Sequence, residues 1–296
     1  MKVITEFDEI KPCAIALGNF DGVHTAHKEI IKRCQDYAKE KGLYSGVLLF
    51  DIHTKAFFEN DLKLLTTMTE KKEMIKEQGI DFILIKDFDE DTMKMSPQDF
   101  FSFLKDKLNV KALFAGFDYT FGYRATGNCE LLSKMCEETD VHIEILPRID
   151  IDNEPVSSTK IRDLISSGKT LKAQEYLGHM YFVSGIVEKG KQNGTKMGIP
   201  TANVSFPNDK LMPDDGVYTG IIEIENKQYK SLINIGKNPT FNAEKRTLEV
   251  HIPEFSKNIY EEEVKVLFDR KIRGEIKFES SSQLVKQIKE DLKFLN

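Results

Sequence analysis

The chain has no surplus of positive charge. Its 296 residues carry 42 Lys and Arg against 48 Asp and Glu, a net charge of −6, without the basic stripe that a general nucleic-acid binder presents. Nucleic acid is therefore not an expected partner. Apolar runs long enough to cross a bilayer are missing. The N-terminus carries Glu6, Asp8 and Glu9, where a secretory signal would be basic and then apolar. No membrane association is expected. Cysteine is scarce: Cys13, Cys34, Cys129 and Cys136 show no CxxC spacing. Two of them fall at strand or helix core positions, so they read as reduced thiols of a cytoplasmic protein rather than as a disulfide framework. Internal repeats and low-complexity linkers are absent as well.

What is present is chain enough for one large or two medium domains with a proper core, written in two rhythms. Up to about residue 178, short apolar runs at Cys13–Phe20, Tyr44–Phe50, Phe82–Lys86, Val110–Ala115 and Val141–Leu146 alternate with amphipathic patterns at His27–Lys39, Glu70–Glu77, Pro97–Leu108 and Glu130–Glu138. That alternation predicts an α/β domain, a parallel sheet covered on both faces, with ligands at the carboxyl ends of its strands. After Leu177-Gly178 come strand-like runs at Tyr181–Glu188, Asn203–Phe206, Gly216–Glu225, Tyr229–Ile235, Leu248–Ile252 and Val264–Arg273, separated by turn residues, with one helical pattern at Ser282–Leu295. These predict a small antiparallel β-barrel with a C-terminal helix. The expected domains are 1–178 and 179–296.

Chemistry is densest at the first turn. Ala14-Ile15-Ala16-Leu17 runs into Gly18-Asn19-Phe20-Asp21-Gly22, and His24 and His27 then open a helical pattern through Ile30, Ile31 and Cys34. A strand–turn–helix leaves unpaired backbone N–H groups and the positive end of a helix aimed at one spot, where phosphate binds readily. Histidines at i and i+3 share a helix face, so both rings reach the same anion. Two other readings stand beside this one. The histidines could be functionless surface groups, or zinc ligands, although neither a Cys cluster nor an HExxH motif supplies a third ligand. In the second segment, Pro155-Val156-Ser157-Ser158-Thr159-Lys160-Ile161-Arg162, hydroxyls stand at a predicted helix N-cap with cations one turn in. It reads as an ordinary Ser cap or as the other jaw of a triphosphate clamp, with Arg162 supplying a planar charged fork.

These segments resemble the cytidylyltransferase-like nucleotidyltransferases, with their HxGH and SSTxIR-type motifs. Gly18-Asn19-Phe20-Asp21-Gly22-Val23-His24, with Gly116-Phe117-Asp118-Tyr119-Thr120-Phe121-Gly122, resembles the FMN adenylyltransferase module of bacterial bifunctional riboflavin kinase/FAD synthetases. The resemblance implies a Rossmann-like nucleotidyltransferase domain. In it Gly18, Asn19, Phe20, His24, His27, Ser158, Thr159 and Arg162 would hold ATP, Asp118 and Phe121 would line the flavin side, and Mg²⁺ would assist without a covalent intermediate. Two departures stand out. Ala26 replaces the Gly of HxGH, and Asp51-Ile52-His53-Thr54 replaces Asp-Pro-His-Pro, losing two loop-stiffening prolines.

In the second half, Gly190, Gly194 and Gly198 lie in a loop with Lys196, followed by Pro200-Thr201-Ala202-Asn203. It is either a plain hairpin or a phosphate-wrapping loop with Lys196 as counter-charge. It is not a Walker A sequence. Thr201 and Asn203 alternate, so in a strand their oxygens face one side and suit one hard cation. With Pro213-Asp214-Asp215-Gly216-Val217-Tyr218, Ile233 to Phe241 and Leu248-Glu249-Val250-His251, this half resembles flavokinase domains over about residues 180 to 296. By that resemblance Thr201 and Asn203 bind Mg²⁺ and phosphate, Glu249 is the general base on the ribityl 5′-hydroxyl, and Arg273 lies near the flavin. Glu249 and Arg273 also read as exposed strand charges. The expected whole is a bifunctional enzyme acting on riboflavin, FMN and ATP. The alternatives are a riboflavin kinase with a nucleotide-binding but inactive N-terminal half, and a flavin-binding regulator without turnover.

Overall fold

The computed structural model describes residues 1–7, 10–55, 57, 61–190, 198–240 and 243–295, without the side chains of 238–240 and 243–245. It divides into two compact units, Met1–Ser158 and Thr159–Asn296.

The first unit contains β1 (Lys2–Ile4), β2 (Cys13–Leu17), α1 (Thr25–Lys41), β3 (Tyr44–Phe50), α2 (Met68–Glu77), β4 (Phe82–Lys86), α3 (Glu90–Lys94), α4 (Pro97–Ser102), β5 (Val110–Gly116), α5 (Cys129–Glu137), β6 (His142–Leu146) and the short hairpin β7 (Asp150–Ile151) and β8 (Glu154–Pro155). Six strands form one sheet in the order β1-β4-β3-β2-β5-β6, parallel throughout. All five residues of β2 are buried, as a strand covered on both faces requires. Helix α1 buries Ile30, Ile31, Cys34 and Ala38 and stops at Gly42, whose left-handed φ of 67° turns its N–H back to Ala38. The sheet turns outward in both directions from β2: β3 lies on one side and β5 on the other. This is the topological switch point, where parallel sheets open a crevice at their carboxyl ends.

The second unit opens with α6 (Ser158–Ser166), whose first residue still belongs to the first unit, and α7 (Thr170–Leu177). It continues as β9 (Tyr181–Glu188), β10 (Ala202–Ser205), β11 (Gly216–Ile224), β12 (Lys227–Thr240), β13 (Ala243–His251), β14 (Glu263–Arg273) and α8 (Ser281–Asp291). The strands close into a barrel in the order β10-β13-β12-β11-β14-β9. Val204, Ile233, Ile235, Leu248 and Val250 are buried inside it, so the residues that alternate with them face outward. Helix α7 sorts with the barrel because Thr170 Oγ1 donates to the Asp269 carbonyl at 2.5 Å.

Several elements differ from the sequence expectation. The single helix expected at 97–108 is α4 followed by a π-helical turn, Phe103–Lys107. Strands β12 and β13 extend the expected runs into a long hairpin, because ladder hydrogen bonds carry polar residues that the apolar pattern alone does not mark.

Candidate active sites

The turn from β2 into α1 is built on strained backbone. Phe20, Gly22 and Val23 have φ of 50°, 82° and 38°, and a non-glycine residue keeps such angles only where its surroundings hold it. Phe20 is fully buried and its ring lies 3.3 Å from where a Cβ on Gly18 would stand, so Gly18 gives the ring its room. Asp21 clamps the turn: its buried carboxylate accepts from Leu65 N at 3.1 Å, Thr66 N at 2.9 Å and Thr66 Oγ1 at 3.0 Å. Gly22 N donates to the same threonine hydroxyl at 3.0 Å. Ser158 Oγ donates to the Asp21 carbonyl at 3.0 Å, which brings the first residue of α6 to this turn. Thr159 and Arg162 follow in α6 and belong to the second unit.

His24 caps α1, its Nδ1 accepting from His27 N at 3.3 Å. An accepting Nδ1 leaves the proton on Nε2, so the ring presents a donor. The two imidazoles stack with centroids 3.5 Å apart and planes 15° from parallel. Burial, together with the neighbouring Lys71 ammonium and the His24 and His53 imidazoles, pushes His27 well below the ordinary histidine range. His27 is therefore neutral at physiological pH. Among the described residues its buried Nδ1 has no hydrogen-bond partner, an unsatisfied polar atom of the kind that a bound group explains.

Lys71 and His53 are the members of this site that sequence reasoning missed. Lys71 is buried and its Nζ donates to the Asn19 carbonyl at 2.8 Å, yet in sequence it looks like any solvated helix charge. The loop that lost its prolines is held by hydrogen bonds instead. Asp51 Oδ1 accepts from Ile52 N at 2.9 Å and Phe88 N at 2.7 Å, His53 Nδ1 accepts from Lys55 N at 3.2 Å, and Thr54 Oγ1 donates to Asn19 Oδ1 at 3.1 Å. Strand β5 runs beside β2, Ala115 opposite Leu17, so the loop after β5 opens at the same end of the sheet. There Asp118 is exposed, whereas Phe121 is buried against Phe100 and Tyr119 and supports the loop from the core.

The second site lies on the outer face of the barrel. Asn203 on β10 stands opposite Glu188 on β9 and Glu249 on β13, and Glu249 stands opposite Asn234 on β12. Directly opposed residues share a sheet face, so one transverse row carries Glu188, Asn203, Glu249 and Asn234. Burial pushes the Glu249 carboxyl up, and among the described residues no hydrogen bond reaches its carboxylate. Thr201 sits just before β10. Next to it the Pro200 carbonyl accepts from His251 Nδ1 at 2.8 Å, a tie that fixes the entry to the strand. Gly190 packs against the Asn203 carboxamide so closely that a Cβ would collide with it, and Gly198 takes a left-handed φ of 75°. Gly194 and Lys196 lie outside the described residues. Arg273 is paired with α8: its Nη2 and Nε donate to Oδ2 of the buried Asp291 carboxylate at 2.8 and 3.0 Å, and Nε also to Oδ1 at 3.2 Å, which fastens α8 to the end of β14.

Comparison with known proteins agrees with this division. Residues 6–160 match the FAD synthetase family model and residues 177–296 the riboflavin kinase model. Proteins named bifunctional riboflavin kinase/FMN adenylyltransferase are 32% identical in Listeria monocytogenes, over 94% of this chain and 89% of that protein, and 34% identical in Buchnera aphidicola, over 100% and 98%. The chain belongs to this family. Its fold follows a solved protein of Streptococcus pneumoniae, described as a macrolide-efflux protein, with a TM-score of 0.90, 32% identity and coverage of 98% and 97%. Among the described residues of the present chain, no helix is long and apolar enough to cross a membrane.

Proposed function

We propose that the chain makes both flavin cofactors, its barrel phosphorylating riboflavin to FMN and its N-terminal domain transferring AMP from ATP to FMN to give FAD and pyrophosphate. The functional division follows residues 1–178 and 179–296. What carries the reading is the coincidence of the two family matches with two separate polar clusters, one holding the His27 Nδ1 that is buried and unsatisfied among the described residues, the other the Glu249 carboxyl raised by burial.

In the kinase half, Glu249 accepts the proton of the ribityl 5′-hydroxyl as its oxygen bonds to the γ-phosphorus and ADP leaves. A pKa raised by burial makes Glu249 a stronger base than an exposed carboxylate. The hydroxyl of Thr201 and the carboxamide oxygen of Asn203 are hard donors that fit Mg²⁺, which supplies charge neutralisation on the transferring phosphate. Gly190 and Gly198 stand on the nucleotide side. Arg273 stands on the flavin side at the end of β14, where Asp291 holds it.

In the transferase half, a phosphate oxygen of FMN attacks the α-phosphorus of ATP and pyrophosphate departs. His24 donates from Nε2, and neutral His27 donates from whichever ring nitrogen keeps its proton. Gly18, Asn19 and Phe20 form the turn beneath, Ser158, Thr159 and Arg162 take the outer phosphates, and Asp118 stands toward the flavin on a loop that Phe121 supports from the core. The hydrogen bonds that replace the two missing prolines support an active transferase over a retired one. ATP chemistry and four free thiols suit the cytoplasm.

The test is purified chain with riboflavin and MgATP, with FMN and FAD separated by chromatography over time; FMN followed by FAD is expected. Thr201→Ala and Asn203→Ala each weaken kinase turnover and raise the magnesium concentration needed for half-maximal rate, while FAD formation from supplied FMN is unaffected. Normal magnesium titration in both variants would remove them from the cation. Ala26, half-buried in the first turn of α1, gives a further test. Ala26→Gly raises FAD synthesis by removing a methyl beside the phosphates and costs about 1 kcal/mol of helix stability, read by initial rates and thermal midpoint.

A further inference from the structure

We propose that Asn234 is the specificity-determining residue for the polyol chain of the kinase substrate, taking the hydroxyl next to the one that Glu249 deprotonates. The inference rests on the kinase reading above.

Its basis is the order of groups across the strands. Asn203, Glu249 and Asn234 lie in register on β10, β13 and β12, so the carboxylate is flanked by one carboxamide on each side. Thr201 and Asn203 are the phosphate and cation flank. The opposite flank is where an in-line transfer puts the attacking alcohol and the chain behind it, and Asn234 occupies that flank. Residues directly opposed on one sheet face start about 4.5–5.5 Å apart, close enough for Glu249 and Asn234 to hold adjacent hydroxyls of one chain laid across the strands.

The chemistry of the flank suits a polyol. A carboxamide both donates and accepts, as a hydroxyl does. Asn234 is half-buried, and among the described residues its side chain, like those of Asn203 and Glu249, makes no hydrogen bond. Half-buried carboxamides without a protein partner are open to the hydroxyls of a ligand. Two residues along the same face of β12, Gly236 offers no side chain, and the Glu275 carboxylate fills the space that its Cβ would take. Asn234 Nδ2 lies 3.8 Å from that same point. Glu249, Asn234 and Glu275 thus form a series of acceptors with one donor among them, matched to successive hydroxyls.

Steady-state kinetics of the full chain at saturating MgATP test this, with riboflavin and its 4′-deoxy analogue as substrates. Wild type prefers riboflavin by about 10–100-fold in kcat/KM, the range expected for one lost hydrogen bond at a partly buried site. N234A raises the KM for riboflavin by about tenfold or more, leaves the KM for ATP unchanged, and cuts the preference to about threefold or less. N234S, which keeps a hydroxyl, retains part of the preference. The thermal midpoint and the unchanged KM for ATP in the kinase reaction report on folding of the barrel; if N234A fails them, N234S decides. Wild-type KM and wild-type preference in the folded variant would overturn the proposal while leaving the kinase reading intact. A fall in kcat with KM and preference unchanged would also overturn it. Absence of FMN formation by wild type would sink both.

Discussion

Glu249→Ala lowers FMN formation by about 10²–10⁴-fold, the usual cost of losing a general base, while FAD formation from supplied FMN continues at nearly the wild-type rate. The separation is the informative part, because the two family matches fall on separate stretches of the chain, residues 6–160 and 177–296. Equal loss of both activities would mean a misfolded variant or a shared site. The pH profile gives a second reading. Burial raises the Glu249 carboxyl, so the acid limb of kinase activity falls off above the ordinary carboxylate range. The same shift has a consequence for stability. A carboxyl whose pKa is higher in the fold than in the unfolded chain contributes stability below the unfolded value and loses it as pH rises through the folded one. At neutral pH the ionised Glu249 therefore destabilises the barrel. Glu249→Gln raises the thermal midpoint at pH 7 and not at pH 3, a stability gain bought with activity. A lower midpoint at neutral pH would show that the carboxylate is better solvated than its position implies.

How far the sequence carried can be judged from particular elements. Strands Tyr44–Phe50, Phe82–Lys86 and Tyr181–Glu188 are observed with the bounds that their apolar runs predict, since burial on at least one face writes itself as hydrophobicity. Helix α1 begins at Thr25 rather than at the expected His27, because a histidine supplies the cap and capping histidines are not a common signal. The three-residue edge strand β1 (Lys2–Ile4) has too few positions to show a period. Of the candidate site, the turn residues and both histidines were legible because glycine and a shared helix face leave a pattern. Lys71 and Asn234 were not. What gives each its place is a partner far away in sequence, the Asn19 carbonyl for one and Glu249 across the ladder for the other, and register is invisible until the strands pair. Arg273 illustrates the converse: a charge at a strand end gives no sign in sequence that Asp291, in the last turn of a helix, holds it.

His27→Ala suppresses FAD formation by about 10²–10³-fold, the typical loss when one donor to a developing phosphate charge is removed, and leaves riboflavin phosphorylation intact. The effect is one of hydrogen bonding rather than charge, because His27 is held neutral by burial and by its neighbours His24, Lys71 and His53. That distinction can be measured. If neutral His27 is the donor, its own titration leaves no inflection in the transferase rate near the ordinary histidine value, and His27→Gln, which keeps an N–H donor, recovers more activity than Ala. His27→Lys, which adds a charge beside Lys71, recovers none. Stability follows the same logic with the sign of a buried base. A histidine whose pKa is lower in the fold contributes stability above its unfolded value and loses it as pH falls through the folded one. Wild type therefore loses stability on acidification, and His27→Gln removes that part of the loss. A transferase rate that instead tracks a single ionisation near the ordinary histidine value, abolished in His27→Gln, would mean that the protonated ring does the work. The stacked pair would then be a charged clamp on the triphosphate, and Lys71 would oppose rather than support it.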